Sequence, residues 1–354
     1  MTAKLAALTA GLVMLLLAPA GAKAKTFTPI PAQQFKLVKH GFGKATKRRI
    51  SQLAQAYPRV GLNALLGDTN RVNTPLMPGL RPNGAFGYSW ESGDNSVDYW
   101  TPQGITGNGN GVQAISWYKG KSGGEQGVRI SFVNRGEGAH GEYRFGLAVV
   151  PKGGQSFAQV KVHAGGVAWV GKYLYMADTN NGVRVFDLTR TLRVPDSRLG
   201  TTGNYRYLLP QIGHYQRQGG LKFSALALDR SNPKKPAIVA GEYQVYENHD
   251  PVTRIARWRI GPKSKLLAGQ AASQAWKTGF DQLQGVITNH GQVYVSSTQG
   301  PRGLLYHGKP SKKAKVNKWG AGPEGLYATT TQLWTLTEAK DHRTVFGKTF
   351  SSLN

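Results

Sequence analysis

The sequence predicts an all-β protein folded as a β-propeller, and three observations carry this prediction. Short segments rich in apolar, β-branched and aromatic residues recur from about residue 85 onward, each bounded by Gly, Asn or Asp, as is typical of antiparallel strands joined by tight turns. These segments fall into groups of three, and five such groups follow one another at similar intervals, which is typical of repeat folds. Glycine accounts for 46 of 354 residues, and only 18% of the residues are charged, which suits a folded chain rich in turns.

The group at residues 165–188 shows the repeated unit most clearly. It reads GGVAW, then KYLYMADT, then NGVRVFDL, so that three hairpin-linked strands form most of a four-stranded propeller blade. The first strand of each group begins at an equivalent position, which is Gly104, Gly166, Ala225, Gly285 or Gly325. Five blades are therefore expected, with six as the alternative if residues 60–100 or the long loops contain another one.

The last group supplies only three strands before Asn354. The segment AFGYSW at residues 85–90 places Phe86, Tyr88 and Trp90 on one face of a strand because side chains alternate along strands. We expect this N-terminal strand to pair with the last group as its outer strand, and so to close the ring.

Residues 1–24 have the pattern of a secretion signal peptide. Lys4 precedes an apolar stretch, and Ala22-Lys23-Ala24 offers the small residues that signal peptidase accepts. We therefore expect a secreted, extracellular protein with no transmembrane segment after cleavage; a retained membrane anchor is the alternative. The chain contains no cysteine, which excludes disulfides, thiolate metal sites and a lipid-modified cysteine anchor.

Residues 25–84 form a basic N-terminal leader with a short helix in this interpretation, and residues 85–354 form the propeller domain. The segment ATKRRISQLAQAY has apolar residues at helical spacing, namely Ile50, Leu53, Ala54 and Tyr57. We expect this helix to dock on the propeller; binding to a membrane surface or a cell wall is the alternative.

The chain is strongly basic, with 45 Lys and Arg residues against 18 Asp and Glu residues and a formal net charge of +27. Such a field favours anionic partners, for example an envelope polymer, and also keeps an exported protein soluble. The candidate polyanion-binding residues lie in two basic loops, at Lys234, Lys235, Lys312, Lys313 and Lys315. Ordinary solvated loops are the alternative. The loops have too few aromatic neighbours to predict specific nucleic-acid recognition, and we expect a monomer.

Three segments carry a resemblance to a known family. YWTPQGITG, VKVHAGGVAWVGKYLYMADTNNGVRVFDL and GPEGLYATTTQLWTLTE resemble a family of secreted, actinomycete-type β-propeller proteins whose functions are largely unassigned. More distantly, the repeats are similar to NHL-repeat and gluconolactonase-like propellers, some of which are metal-dependent hydrolases and others binding platforms. The resemblance implies the fold and leaves the reaction open, because propellers host many unrelated activities.

The positions just before the innermost strands are expected to line one mouth of the central channel. Polar residues there are the candidate ligand-binding residues, namely Gln103, His163, Gln284 and Glu324. Among them, Glu324 is the candidate catalytic acid, base or ligand, and His163 is its candidate partner. The alternative is that all four satisfy backbone groups of neighbouring blades, as buried polar side chains usually do.

Carboxylates also recur at the end of the second strand of several groups. If they converge with Glu324, their oxygens would suit a divalent cation, Ca²⁺ or Mg²⁺. The candidate metal ligands are Asp178, Glu242, Glu324 and Glu338. The alternative is that each carboxylate accepts backbone N–H groups of the following turn. The ligand set of the gluconolactonase-like propellers does not map onto these groups residue by residue.

Two functions are compatible with these patterns. The favoured one is a secreted, non-catalytic binding protein whose basic propeller recognises an anionic extracellular surface or polymer. The alternative is an extracellular hydrolase or lyase, metal-dependent and lactonase-like in one version, with its site at the channel mouth.

Overall fold

The computed structural model describes residues 25–78, 81–121, 124–136, 140–245 and 252–353. The predicted signal peptide, residues 1–24, lies outside these ranges. Within the described ranges, no helix has both the length and the apolar composition needed to cross a membrane.

Strand pairing groups most of the described strands into five antiparallel four-stranded units, named A to E. Unit A contains Trp100–Gly107, Val112–Lys121, Gly124–Asn134 and Glu142–Gly153. Unit B contains Val167–Val170, Tyr173–Asp178, Gly182–Asp187 and Tyr207–Gln218. Unit C contains Ala225–Asp229, Ala237–Gly241, Thr253–Arg259 and Gln274–Thr278. Unit D contains Leu283–Asn289, Gln292–Ser297, Leu304–Gly308 and Lys315–Lys318.

Unit E is assembled from both ends of the propeller. Its strands are Tyr327–Ala328, Gln332–Leu336, Thr344–Thr349 and Phe86–Ser89. The last of these pairs antiparallel with Thr344–Thr349, and Tyr88 lies opposite Val345. The predicted closure by the N-terminal strand is therefore confirmed, and it protects a strand edge that would otherwise be open to pairing with another chain.

The first strands of the five units surround a common axis. Each contacts the first strand of the next unit, and unit E returns to unit A. This closed ring of innermost strands confirms the predicted all-β propeller. The outer strands of units A and B also pair in parallel, with Leu147 opposite Leu208. Because two units share one sheet, the number of separate blades stays a prediction.

The close approach of the innermost strands explains why glycine recurs at the starts of the sequence groups. A Cβ atom on Gly166 would lie 2.0 Å from the backbone nitrogen of Leu226 in the next unit. A Cβ atom on Gly285 would lie 2.6 Å from the carbonyl oxygen of Glu324. Glycine permits such backbone-to-backbone packing because it has no side chain. The ring is tight enough that the first strands of units A and C also contact each other.

The predicted leader wraps around the outside of the propeller. Two helices, α1 and α2, span Lys44–Ala56 and Leu62–Leu66. Four short strands extend units C, B, A and E, and they are Thr28–Pro29, Lys36–His40, Arg71–Val72 and Thr74–Pro75. Residues 25–78 are thus built into the outer edges of the sheets. Their backbone groups continue the hydrogen-bond ladders of the propeller.

The remaining elements are short connections. Helix α3 spans Ser92–Ser96. Two more strands, Ser156–Gln159 and Leu192–Arg193, pair with the outer strands of units A and B. Three turns of 3₁₀-helix are Leu188–Arg190, Asp196–Thr202 and Phe350–Leu353.

Helix α1 docks by the face that the sequence pattern indicated. Ile50 and Leu53 are buried, and Leu53 packs with Leu147 and Leu208 from the outer strands of units A and B. Burial of a leucine side chain contributes about 2 kcal/mol. The basic residues of the helix, Lys44, Lys47, Arg48 and Arg49, are exposed. The helix therefore packs against the outer strands of both unit A and unit B.

Candidate functional site

One mouth of the central channel gathers several of the predicted polar residues. Strands alternate in direction within each unit, so the residues that enter a first strand and those that leave a second strand lie on the same face of the propeller. Glu324 precedes the first strand of unit E, and Glu338 follows its second strand. Gln103 lies in the first strand of unit A, which is adjacent to unit E in the ring. We call this region the channel mouth.

Gln103 connects the two units at the channel mouth. Its Nε2 donates a hydrogen bond of 2.5 Å to Oε2 of Glu338, and its backbone oxygen accepts one of 3.0 Å from the nitrogen of Gly325. Glu338 is half-buried. Its carboxylate is therefore oriented by an amide that is itself only 2% exposed.

Glu324 is a deeply buried carboxyl group at the channel mouth. It is 1% exposed, and neither Oε1 nor Oε2 has a hydrogen-bond partner within the described ranges. Only its backbone is engaged, since Ser296 Oγ donates to its carbonyl oxygen at 2.6 Å. A buried carboxyl group without partners strongly favours its neutral form.

The protonation of the two glutamates differs from that of exposed carboxylates. Burial, and then the charge of Glu338, raises the pKa of Glu324 well above its ordinary value of 4.5. Burial also raises the pKa of Glu338, whereas the hydrogen bond from Gln103 and the charge of Arg343 lower it. The pair therefore holds a proton at higher pH than isolated glutamates, and Glu324 is the member that holds it more strongly.

The predicted residue His163 lies at the rim of the same mouth. Its ring packs on Tyr118 at a centroid distance of 4.4 Å, and its Nδ1 lies 3.6 Å from Oε1 of Glu125. Burial lowers the pKa of His163, although Glu125 acts in the opposite direction. Neither carboxyl oxygen of Glu324 has a hydrogen-bond partner in the described residues, so His163 is paired with Glu125 and not with Glu324.

Two tyrosines, Tyr118 and Tyr243, lie within electrostatic range of the carboxyl pair. Burial raises the pKa of both phenols. The charges of Glu324 and Glu338 raise both further, which places the two rings within electrostatic reach of the pair. Asp281 adds another carboxylate beside Tyr243.

Gln284 belongs to the same face in unit D. It is half-buried, and it precedes Gly285, where an added Cβ atom would lie 2.6 Å from the backbone oxygen of Glu324. The structure thus brings Gln103, Glu324 and Glu338 together, with His163 and Gln284 at neighbouring positions of the ring.

Two of the candidate metal ligands have arginine partners. Asp178 Oδ2 lies 2.8 Å from Arg184 Nη2. The carboxylate of Glu242 receives Arg254 Nε at 2.7 Å and Nη2 at 2.6 Å, and also the backbone nitrogen of Lys222 at 3.0 Å. These partners differ from the backbone N–H groups of the following turn that the alternative predicted, because Arg184 and Arg254 bind through their side chains and Lys222 precedes the first strand of unit C. No group of three or more His, Cys, Asp or Glu side chains is placed to hold a metal ion in the part of the chain that the structure describes.

The predicted polyanion-binding lysines lie on the opposite face of the propeller. Lys234 and Lys235 follow the first strand of unit C, and Lys312, Lys313 and Lys315 lie between or at the outer strands of unit D. All five are exposed. The turns after first and third strands face away from the channel mouth, so these lysines are separated from Glu324 by the depth of the propeller.

Sequence reasoning missed Tyr118, Glu125, Tyr243 and Asp281. Tyr118 belongs to SWYK, which resembles a nucleophile motif only in its letters, and Ser116 of that segment instead donates to the backbone oxygen of Ala164 at 2.8 Å. The segment VQAISWY predicts a second strand that ends at Tyr118. Because second strands end on the face of the candidate site residues, this position could have identified Tyr118.

No protein-family model and no curated protein sequence matches this chain. Solved structures that are similar to this chain include the GH43_1 enzyme from Xanthomonas citri. The identity is 13% and the TM-score is 0.41, and the match covers 84% of this chain and 93% of that one. A nidogen/laminin complex is similar at 11% identity and a TM-score of 0.38, covering 81% and 88%. A glucose dehydrogenase is similar at 11% identity and a TM-score of 0.37, covering 71% and 84%.

Proposed function

We propose that the protein is an acid–base enzyme, a hydrolase or a lyase, whose site lies at the channel mouth. One observation carries the proposal: the carboxyl group of Glu324 is buried without a hydrogen-bond partner in the described residues, beside the oriented carboxylate of Glu338. An unpaired buried carboxyl group costs stability. Groups of this kind with perturbed pKa values cluster at functional sites.

The two glutamates have complementary roles in this proposal. Glu324, neutral because of its burial, donates a proton to the leaving oxygen of the substrate. Glu338 is ionised by comparison, because Gln103 and Arg343 favour its charged form. It accepts a proton from water in a hydrolase, or from the substrate carbon in a lyase. Two titratable groups whose environments separate their pKa values form a pair suited to acid and base roles.

The rim of the channel mouth favours an uncharged substrate rich in hydroxyl groups. The carboxylates of Glu125, Asp281 and Glu338 repel anions. The rings of Tyr118 and Tyr243 supply flat apolar surface, and the amides of Gln103 and Gln284 supply hydrogen bonds, a combination typical of small-ligand sites. A neutral oligosaccharide has this chemistry.

The enzyme proposal is tested on the secreted form of the chain, beginning at Lys25. Wild type, Glu324→Gln and Glu338→Gln are incubated with a panel of neutral polysaccharides, and released fragments are measured by mass spectrometry. We expect the wild type to release fragments, and each variant to lose at least about 100-fold in rate, because general acid or base catalysis typically contributes that much.

The matched control is Glu142→Gln, which removes a carboxylate remote from the mouth while keeping an acceptor for Thr69 Oγ1. It is expected to retain the wild-type rate. An unchanged rate in Glu324→Gln, or no release from any polysaccharide by the wild type, would contradict the proposal.

The localisation outside the cell is part of the proposal and rests on the signal-peptide pattern and on the resemblance to secreted actinomycete-type propellers. Expression of the full chain in a secreting bacterium, followed by N-terminal sequencing of the protein in the medium, tests it. A mature N-terminus at Lys25 supports cleavage after Ala24, and protein retained in the membrane fraction supports the anchor alternative.

A second candidate function is non-catalytic binding of an anionic envelope polymer. The observation that favours it is the net charge of +27 together with five exposed lysines on the face opposite the channel mouth. Binding through these lysines should weaken steeply with salt. Sedimentation with purified cell walls across a salt series measures this, with Lys312→Gln/Lys313→Gln/Lys315→Gln as the variant. Salt-insensitive binding would contradict it.

A divalent cation, Ca²⁺ or Mg²⁺, stays a proposal attached to Glu324 and Glu338. Native mass spectrometry of protein purified without chelator, before and after dialysis against EDTA, measures a bound ion. A stoichiometric ion lost on dialysis would assign part of the carboxyl pair to metal binding.

A further inference from the structure

A second pocket, distinct from the channel, lies on the side of unit A. Its volume is about 380 Å³, and segment 202–206 forms one wall. Five cationic side chains line it, namely Arg71, Lys119, Arg129, Arg144 and Arg206. No acidic side chain is among its lining residues in the described ranges. We call it the arginine pocket.

Carboxylates outside the lining hold the guanidinium groups in place. Asp94 accepts from Arg71 Nε at 2.8 Å and from Arg129 Nη2 at 2.9 Å. Arg144 Nη1 lies 3.6 Å from Asp68, and Arg206 pairs with Asp196. Each guanidinium has five N–H donors, so these contacts orient the arginines and leave donors for a ligand.

Arg129 has an unused donor despite its burial. The residue is 5% exposed, and its Nε–H has no hydrogen-bond partner within the described residues. Its guanidinium lies over the ring of Phe145 at 3.6 Å and over that of Trp100 at 4.7 Å. A buried charged donor without an acceptor is costly, and a ligand that supplies an acceptor removes that cost.

The arginines are close enough to repel one another. Burial lowers the pKa of Arg144, and the charges of Arg71 and Arg206 lower it further, against the opposing effect of Asp68. An anion in the pocket would relieve this repulsion. The planar guanidinium group of arginine can donate two parallel hydrogen bonds to two oxygens of a carboxylate or phosphate group.

The rest of the lining suits a sugar ring. Tyr99, which is 43% exposed, and the half-buried Tyr205 supply aromatic surface, and Asn70, Gln159 and Asn204 supply amide groups. Aromatic surface with a few placed polar groups is typical of pockets for small organic ligands. A bare inorganic anion would leave these groups unused.

We propose that the arginine pocket binds an acidic saccharide unit through its carboxylate or phosphate oxygens. The unit lies with its ring against the aromatic side chains and its oxyanion against Arg129, Arg144 and Arg206. This function goes beyond the proposed channel-mouth chemistry and does not depend on it.

Isothermal titration calorimetry with the secreted form tests the proposal, using glucuronic acid, glucose 6-phosphate and glucose as probes. We expect at least one acidic probe to bind and glucose to bind at least about tenfold more weakly, because charge-assisted hydrogen bonds are the stronger ones. The preference between carboxylate and phosphate identifies the source of the oxyanion. Absence of binding by both acidic probes, or equal binding of glucose, would overturn the proposal.

Variants distinguish binding in the arginine pocket from non-specific electrostatic attraction of the acidic probe to a basic protein. Arg144→Gln and Arg206→Gln are each expected to weaken binding of the acidic probe about tenfold. The carboxylates that these changes leave without a partner, Asp68 and Asp196, are accessible to solvent. Lys263→Gln removes the same charge at an exposed position in unit C and is expected to bind as wild type. Equal weakening by all three variants would overturn the proposal.

The Nε–H signal of Arg129 provides a readout inside the pocket. In ¹H–¹⁵N spectra of the arginine side chains, addition of the acidic probe should shift this signal, since the unpartnered donor gains an acceptor. Shifts confined to arginines outside the pocket would contradict the assignment.

Discussion

Glu324 shows how a single buried group links stability to function. Its neutral form is favoured in the folded protein because burial removes the carboxylate from water and Glu338 adds a like charge. In the unfolded chain the same group ionises near its ordinary value of 4.5. The folded state therefore binds a proton that the unfolded state has lost, over the range from 4.5 up to the raised pKa.

This difference predicts a pH dependence of stability. The free energy of unfolding should fall as pH rises above 4.5, by at most about 1.4 kcal/mol per pH unit from this group. Glu324→Gln cannot ionise, so it should be more stable than wild type at pH 8 and nearly equal at pH 4. Urea unfolding at both pH values measures this, with Glu142→Gln as the control. An equal pH dependence in wild type and Glu324→Gln would contradict the prediction.

The elements of the ring are held by backbone contacts as much as by side chains. The first strands of neighbouring units approach so closely that Gly166 and Gly285 have no room for a Cβ atom. Ser116 Oγ adds a bridge between units A and B through the carbonyl oxygen of Ala164. These glycines stand at the starts of the repeated sequence groups because one innermost strand packs directly against the next.

Gly166→Ala is expected to destabilise the protein by at least about 2 kcal/mol, because overpacking forces the strands of units B and C apart. The control is Gly200→Ala, where no atom lies within 4 Å of the added Cβ. It is expected to change stability by less than about 0.5 kcal/mol. Thermal unfolding of both variants measures the difference. A tolerated Gly166→Ala would show that the ring has more freedom than the structure indicates.

At the scale of the whole molecule, charge is unevenly distributed. The chain carries a net charge of +27, yet Glu125, Asp281, Glu324 and Glu338 collect around the channel mouth. The candidate lysines lie on the opposite face, and the arginine pocket lies on the side of unit A. The propeller thereby presents three chemically different surfaces.

The net charge predicts that salt stabilises the fold. Like charges repel over the surface of the compact state, and raising ionic strength from about 0.01 M to 0.15 M shortens the screening length from about 30 Å to about 8 Å. The melting temperature of the secreted form should rise over this range in sodium chloride. A melting temperature that falls would indicate that the ion pairs, such as Arg254 with Glu242, contribute more than the general repulsion.

The sequence by itself determined the first three strands of each group, the repeat, the helix α1 and the strand that closes the ring, whereas the fourth strands of units A to D and the four short strands of the leader were not predicted. The predicted elements follow from local rules, because side chains alternate along a strand and Gly, Asn and Asp occupy turns. It also indicated which positions enter the innermost strands, and three of the residues at the channel mouth, Gln103, Glu324 and Glu338, were found in this way.

Only the tertiary structure decided which polar groups become partners. Asp178 and Glu242 form ion pairs with Arg184 and Arg254, and His163 lies beside Glu125. The carboxyl group of Glu324 has no hydrogen-bond partner in the described residues. The tertiary structure also assembled the arginine pocket from segments far apart in the chain. Such partners are set by how neighbouring units pack around the ring, and the period of a strand carries no information about the side chains of another unit.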